Sequence, residues 1–137
     1  MSISEATTVE LFSPEWCVLA TEVWQTVVYP LVVEPEGFNY VIEWGQVDGD
    51  GVCQLRTEGG QIVSFDAGQP HPADKVDFAL WAKREIWHKA ASGELDAVAA
   101  IAAKRIDFRR GPVAEAIRQA PGLKAFVKGF GTIPTAW

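Results

Sequence analysis

Between Asp74 and Gly111 the apolar period switches from two to helical and back, and that switching limits the folds open to this chain. Val76, Phe78 and Leu80 alternate with Lys75, Asp77 and Ala79, the period of a strand. From Trp81 onward the spacing becomes helical, with Ile86, Trp87 and Ala90 on one side, up to Ser92-Gly93, where glycine after the last turn is the usual stop. Asp96 is placed to cap a short helix over residues 97–103, apolar all round and therefore expected to be buried. Ile106 and Phe108 then alternate with Arg105, Asp107 and Arg109 in another strand, whose charged side suits a sheet edge. Nothing in the module reads as an active site, so its apolar surface must hold or enclose something.

The flanking sequence supplies the rest of a sheet and its helices. Ser13-Pro14-Glu15 combines a good N-cap, a proline suited to the first turn and an acid that complements the helix dipole. Trp16, Leu19, Ala20, Val23, Trp24 and Val27 follow at helical spacing, which predicts an amphipathic helix of about 15 residues ending before Pro30. Phe38, Tyr40, Ile42 and Trp44 alternate with Asn39, Val41, Glu43 and Gly45 as a half-buried strand. Two glycine-rich turns, at residues 48–51 and 58–60, separate it from strands over 52–57 and 61–66 in an antiparallel meander. Asp48 and Asp50 read as turn formers, since no further acids follow at calcium-loop spacing. After Gly111-Pro112, Val113, Ala116, Ile117 and Ala120 mark one helix face. Beyond Pro121-Gly122, Leu123, Phe126, Val127 and Phe130 mark another, backed by Lys124 and Lys128. The order predicts an α+β domain on one five-stranded, mostly antiparallel sheet, and residues 1–137 read as a single domain.

Six Trp and seven Phe in 137 residues can fill a core or line a pocket for an apolar ligand. The net charge of −6 is divided unevenly: residues 1–82 hold 13 acids against Arg56 and Lys75, and residues 83–137 hold ten cations against five acids. Either the two halves attract each other, or the basic half faces an anionic lipid, a phosphate or an acidic partner. Nucleic acid is not expected, since the chain is acidic and carries no recognised binding motif. Cys17 and Cys53 read as buried reduced thiols, and His71 and His88 stand apart from each other. No metal or cofactor ligand pattern is present. The N-terminus lacks a basic start and an apolar core, and no apolar run approaches the ~20 residues of a membrane span, so a soluble cytoplasmic protein is expected.

Three segments resemble the sterol carrier protein family. Asp77-Phe78-Ala79-Leu80 is similar to that family's "adFtLsls" strand. Ser92-Gly93-Glu94-Leu95-Asp96 is similar to its "SGeLdp" break, and Lys104 to Gly111 to its "GkikikGD" strand. Ala103 stands where the family usually has glycine, Pro112 replaces an acid, and the segment before residue 67 resembles the family in layout only. The resemblance implies five strands with helices on one face and a hydrophobic tunnel that binds sterols, fatty acids, acyl-CoA or phospholipids without covalent chemistry. On that reading the candidate lining is Phe78, Leu80, Ile106, Phe108, Ile117, Leu123, Phe126, Val127 and Phe130, with Trp81 and Trp87 nearby. Arg105, Arg109 and Arg110 are candidate partners for an acidic head group.

Three functions follow from these residues. The leading expectation is a non-enzymatic carrier of a hydrophobic ligand or lipid, with transient contact to a membrane surface. The second is an interaction module whose tunnel is filled by its own side chains. The third is a small enzyme using one of Asp66, Asp74, Asp77 or Asp107, although no spacing singles one out.

Overall fold

The computed structural model describes residues 8–137. A short strand, β1 (Val9–Glu10), leads into α1 (Pro14–Val23). Ser13 caps the helix as its position predicts, its Oγ accepting from the Trp16 N–H at 3.2 Å. Helical turns continue beyond α1, loosened over Trp24–Val28 and tightened over Tyr29–Leu31. Pro30 has no N–H with which to extend the ladder, and the chain leaves the helix within two residues of it.

Strands β2 (Val41–Gln46), β3 (Val52–Glu58) and β4 (Gln61–Ala67) form the antiparallel meander. The chain then returns past β3 to place β5 (Phe78–Ala82) parallel to β2. After it come α2 (Arg84–Ala91), α3 (Ala97–Ala102) and β6 (Asp107–Arg110), which lies antiparallel to β5. The strand order β4-β3-β2-β5-β6 makes a mixed sheet with one parallel contact, and the charged β6 is an edge. The chain closes with α4 (Val113–Arg118), α5 (Ala120–Gly129) and β7 (Thr135–Ala136), the last pairing in parallel with β1.

Three expectations change. The helix capped by Asp96, whose Oδ2 accepts from the Ala99 N–H at 2.9 Å, buries only Ala97 and Ala100. A helix built mainly of alanine exposes little apolar area per residue, so it need not be enclosed. Pro121 does not merely end α4; it occupies the first turn of α5, where its missing N–H leaves no bond unmade. And β2 is buried on both faces rather than one.

One face of β2 meets the helices. Ile42 and Trp44, with Leu55, Cys53, Phe78 and Leu80 from the neighbouring strands, pack against the aromatic layer. Trp16 and Phe130 meet edge-on at 4.8 Å, and Trp44 and Phe126 at 5.3 Å. On the opposite face the Trp81 indole covers Gly45 so closely that a Cβ would lie 2.2 Å from the ring. Glu43, 7% exposed, accepts from Trp81 Nε1 at 2.8 Å, Gln54 Nε2 at 2.8 Å and Gln69 Nε2 at 3.0 Å. The loop holding Gln69 and His71 thus seals the sheet with a satisfied polar network.

Candidate functional site

An apolar cavity lies between the helix-bearing face of the sheet and the last two helices. Trp24, Val28 and Val32 wall one side, and Phe38, Ile42, Trp44, Phe78, Leu80 and Phe108 form its floor. From α4 and α5 come Glu115, Ala116, Gln119, Gly122, Leu123 and Phe126. The space exists because Ala116 and Gly122 carry too little side chain to fill the junction of the two helices. It amounts to about 60 Å³, below the roughly 300–1,000 Å³ of ordinary small-molecule pockets. A ligand longer than a few heavy atoms therefore requires part of the lining to move.

The mouth is polar. Gln119 pairs with Val33 as a strand would: Oε1 accepts from the Val33 N–H at 2.9 Å, and Nε2 donates to the Val33 carbonyl at 2.9 Å. Glu115 is gripped by Arg118, whose Nε and Nη2 donate to its two carboxylate oxygens at 2.8 and 3.0 Å. The Tyr40 hydroxyl donates to the same carboxylate at 3.1 Å, and Arg118 also lies 3.3 Å from Glu34. Arg118, with help from Gln119 and Tyr40, holds the Glu115 carboxyl below the usual carboxylate range against the cost of burial. Burial, then the Glu115 carboxylate, pushes the Tyr40 hydroxyl up, and the bond to Glu115 raises Arg118.

Of the residues named from the sequence, Phe78, Leu80, Phe108, Leu123 and Phe126 line this cavity. Trp87, Ile106, Val127 and Phe130 are buried in the adjoining core, outside the lining, and Trp87 donates to the Gly45 carbonyl at 2.9 Å. Trp81 lies on the other side of the sheet, because it stands opposite Gly45 while its neighbour Leu80 stands opposite Trp44. Ile117 is 60% exposed, since α4 turns Ala116 and Gln119 inward.

None of the three arginines lines the cavity. Arg105 is exposed after α3. Arg109 pairs with Asp107 at 2.9 Å and rests 4.5 Å from the Trp81 ring centre, while Arg110 donates to the Val76 carbonyl. The cation that reaches the lining is Arg118, through its ion pair with Glu115. Reading by period alone missed Tyr40, Glu115, Arg118 and Gln119. The signal available for two of them was the spacing of Glu115 and Gln119, four residues apart beside a small Ala116.

Cys17 and Cys53 are both buried, and burial, then the neighbouring Cys17, raises the Cys53 thiol well above its usual value. Among the described residues, no group of three His, Cys, Asp or Glu side chains is arranged to hold a metal, and no helix is long and apolar enough to cross a membrane.

No protein-family model and no curated protein matches the sequence. Solved structures do match. Sterol carrier protein 2 superposes with a TM-score of 0.75 at 15% identity, over 90% of this chain and 99% of that one. The conserved hypothetical protein TT1886 from Thermus thermophilus, described as possibly a sterol carrier protein, gives 0.72 at 15% identity, over 95% and 94%. The UbiJ-SCP2 ubiquinone synthesis protein gives 0.56 at 13%, over 93% and 100%. At such identities the likeness is one of fold, and it extends over most of the chain: this protein has the α+β fold of sterol carrier protein 2.

Proposed function

We propose that the chain acts as one domain that binds a small apolar ligand in the cavity beneath α4 and carries it without covalent chemistry. The observation that carries this reading is the cavity itself, whose lining is apolar apart from Glu115 and Gln119. Burial of apolar area, at about 25 cal/mol per Å², supplies affinity without specific chemistry. Phe78, Leu80, Phe108, Leu123 and Phe126 would meet the ligand's apolar body, and Tyr40 and Arg118 its exposed end. The one ionisable lining residue, Glu115, is already engaged by Tyr40, Arg118 and Gln119, which supports binding over catalysis.

Fatty acids, acyl-CoA, sterols and phospholipids are all larger than the cavity, so binding them requires its lining to open, and we place that opening at α4. Val113 and Ile117 expose apolar surface on the outer side of that helix, at 50% and 60%, which supports transient contact with a membrane surface during exchange. The free thiols support a reducing compartment such as the cytoplasm. Native mass spectrometry of freshly purified protein, followed by titration with fatty acids, acyl-CoA and sterols, tests the reading. Co-purified lipid or saturable binding is expected, and an empty protein that saturates with none of them sinks it. The narrowness of the cavity favours a second reading, an interaction module closed by its own side chains. That reading gains if lipid titration fails while a purified partner binds with defined stoichiometry.

A further inference from the structure

Buried indoles in this protein have hydrogen-bond partners, with one exception. Trp16 donates to Thr135 Oγ1 at 3.2 Å, Trp24 to the Gly60 carbonyl at 2.8 Å and Trp87 to the Gly45 carbonyl at 2.9 Å. On the far side of the sheet, Trp81 donates to Glu43. Trp44 is 2% exposed, and its Nε1–H has no partner among the described residues. A buried donor left unpaired is costly, and such groups in folded proteins call for a specific explanation. Trp44 sits in the central strand, on the helix-bearing face, and lines the cavity. The polar side chains that share the lining are committed elsewhere: Gln119 to Val33 and Glu115, and Glu115 to Arg118 and Tyr40.

We propose that Trp44 determines specificity in this cavity, donating its indole N–H to a neutral oxygen acceptor on the ligand: a ketone, ester, ether or alcohol. This rests on the cavity being the ligand site. The walls argue for neutrality. A carboxylate drawn into this space would lose its water in exchange for one uncharged donor, with the Glu115 carboxylate on the same lining. A pure hydrocarbon would leave the N–H unpaired. The ligand is thus an apolar molecule with a polar oxygen inserted past the mouth, and not one whose only polar group stays outside.

The test uses the whole chain with 2-nonanone, nonane and nonanoate as probes. Binding is measured by titration, and the indole N–H resonances are followed by ¹⁵N NMR, with Trp44→Phe assigning the Trp44 signal. The ketone is expected to bind about fivefold to tenfold more tightly than the alkane, the net effect of one hydrogen bond. It should also bind more tightly than the carboxylate and move the Trp44 resonance downfield. Trp44→Phe should erase the preference for ketone over alkane while keeping alkane affinity. The proposal is overturned if the ketone binds and the Trp44 resonance stays still, including the case in which a resident water already satisfies it. It is equally overturned if Trp44→Phe folds and keeps the preference. Should that variant not fold, the resonance shift in the unaltered protein decides alone. Binding of none of the three probes overturns this inference and leaves the carrier reading to the titration with fatty acids, acyl-CoA and sterols. Binding without a ketone preference overturns this inference only.

Discussion

Gly45 and Lys104 are single positions where backbone geometry leaves little choice. A methyl on Gly45 would lie 2.2 Å from the Trp81 ring and push the indole off Glu43. Gly45→Ala should therefore destabilise the fold by about 1–3 kcal/mol, read as a lower midpoint in urea unfolding. Lys104, just after α3, adopts φ +60°, a conformation that disfavours any residue with a Cβ. Ala103 stands where the family usually has glycine, and the residue that takes the left-handed conformation is its neighbour, Lys104. Lys104→Gly should raise stability by about 0.5–1 kcal/mol, less if the glycine loosens the unfolded chain. Glu115 sets a pH dependence. Its carboxyl is held below the ordinary value of 4.5, so the stability it contributes is present above that value and lost as pH falls through the lower, folded one. Urea unfolding across about pH 3 to 7 should show an acid limb that flattens in Glu115→Gln.

At the scale of elements, what the sequence made legible was local. Ser13 and Asp96 cap their helices because a cap depends on the next three residues alone. The β1–β7 ribbon was not legible: two-residue strands carry no period, and their partners stand more than a hundred residues apart. The roll of α4 was not legible either. Its stripe of Val113, Ala116 and Ile117 reads as buried, yet Val113 and Ile117 face solvent. A helix of six residues has little apolar area with which to set its own rotation, and the bonds of Glu115 to Tyr40 and of Gln119 to Val33 set it instead. Gln119→Ala should release that hold. It leaves the Val33 N–H and carbonyl unpaired, at a cost of about 1–3 kcal/mol, and faster amide exchange at Val33 is the direct readout. Unchanged exchange at Val33 would show that α4 is held by other contacts.

Over the whole molecule, two ion pairs join the acidic first part of the chain to the basic second part. Glu10 lies 3.6 Å from Arg84, and Glu34 lies 3.3 Å from Arg118. All four side chains are at least one-third exposed, so each pair contributes at most about 1 kcal/mol, and the fold rests on its aromatic layer. The cavity is the gap in that layer. Ala116→Leu should fill it: thermal unfolding would change little, while affinity for an apolar ligand falls sharply in titration. Retained binding would move the ligand site elsewhere. The sequence by itself determined the kind of the main elements, the capped starts of α1 and α3, the two glycine turns and the edge position of the charged β6, because period, caps and turns act over a few residues. It also determined five of the cavity's lining residues, through the inward phase of β5, β6 and α5. The tertiary structure alone decided the parallel contact of β2 with β5, the face on which Trp81 lies, the bonds of Glu115 to Tyr40 and of Gln119 to Val33 from 75 and 86 residues away, and the burial of the Trp44 N–H without a partner among the described residues. Each of these depends on which distant segment packs alongside, and a periodic pattern holds no information about that.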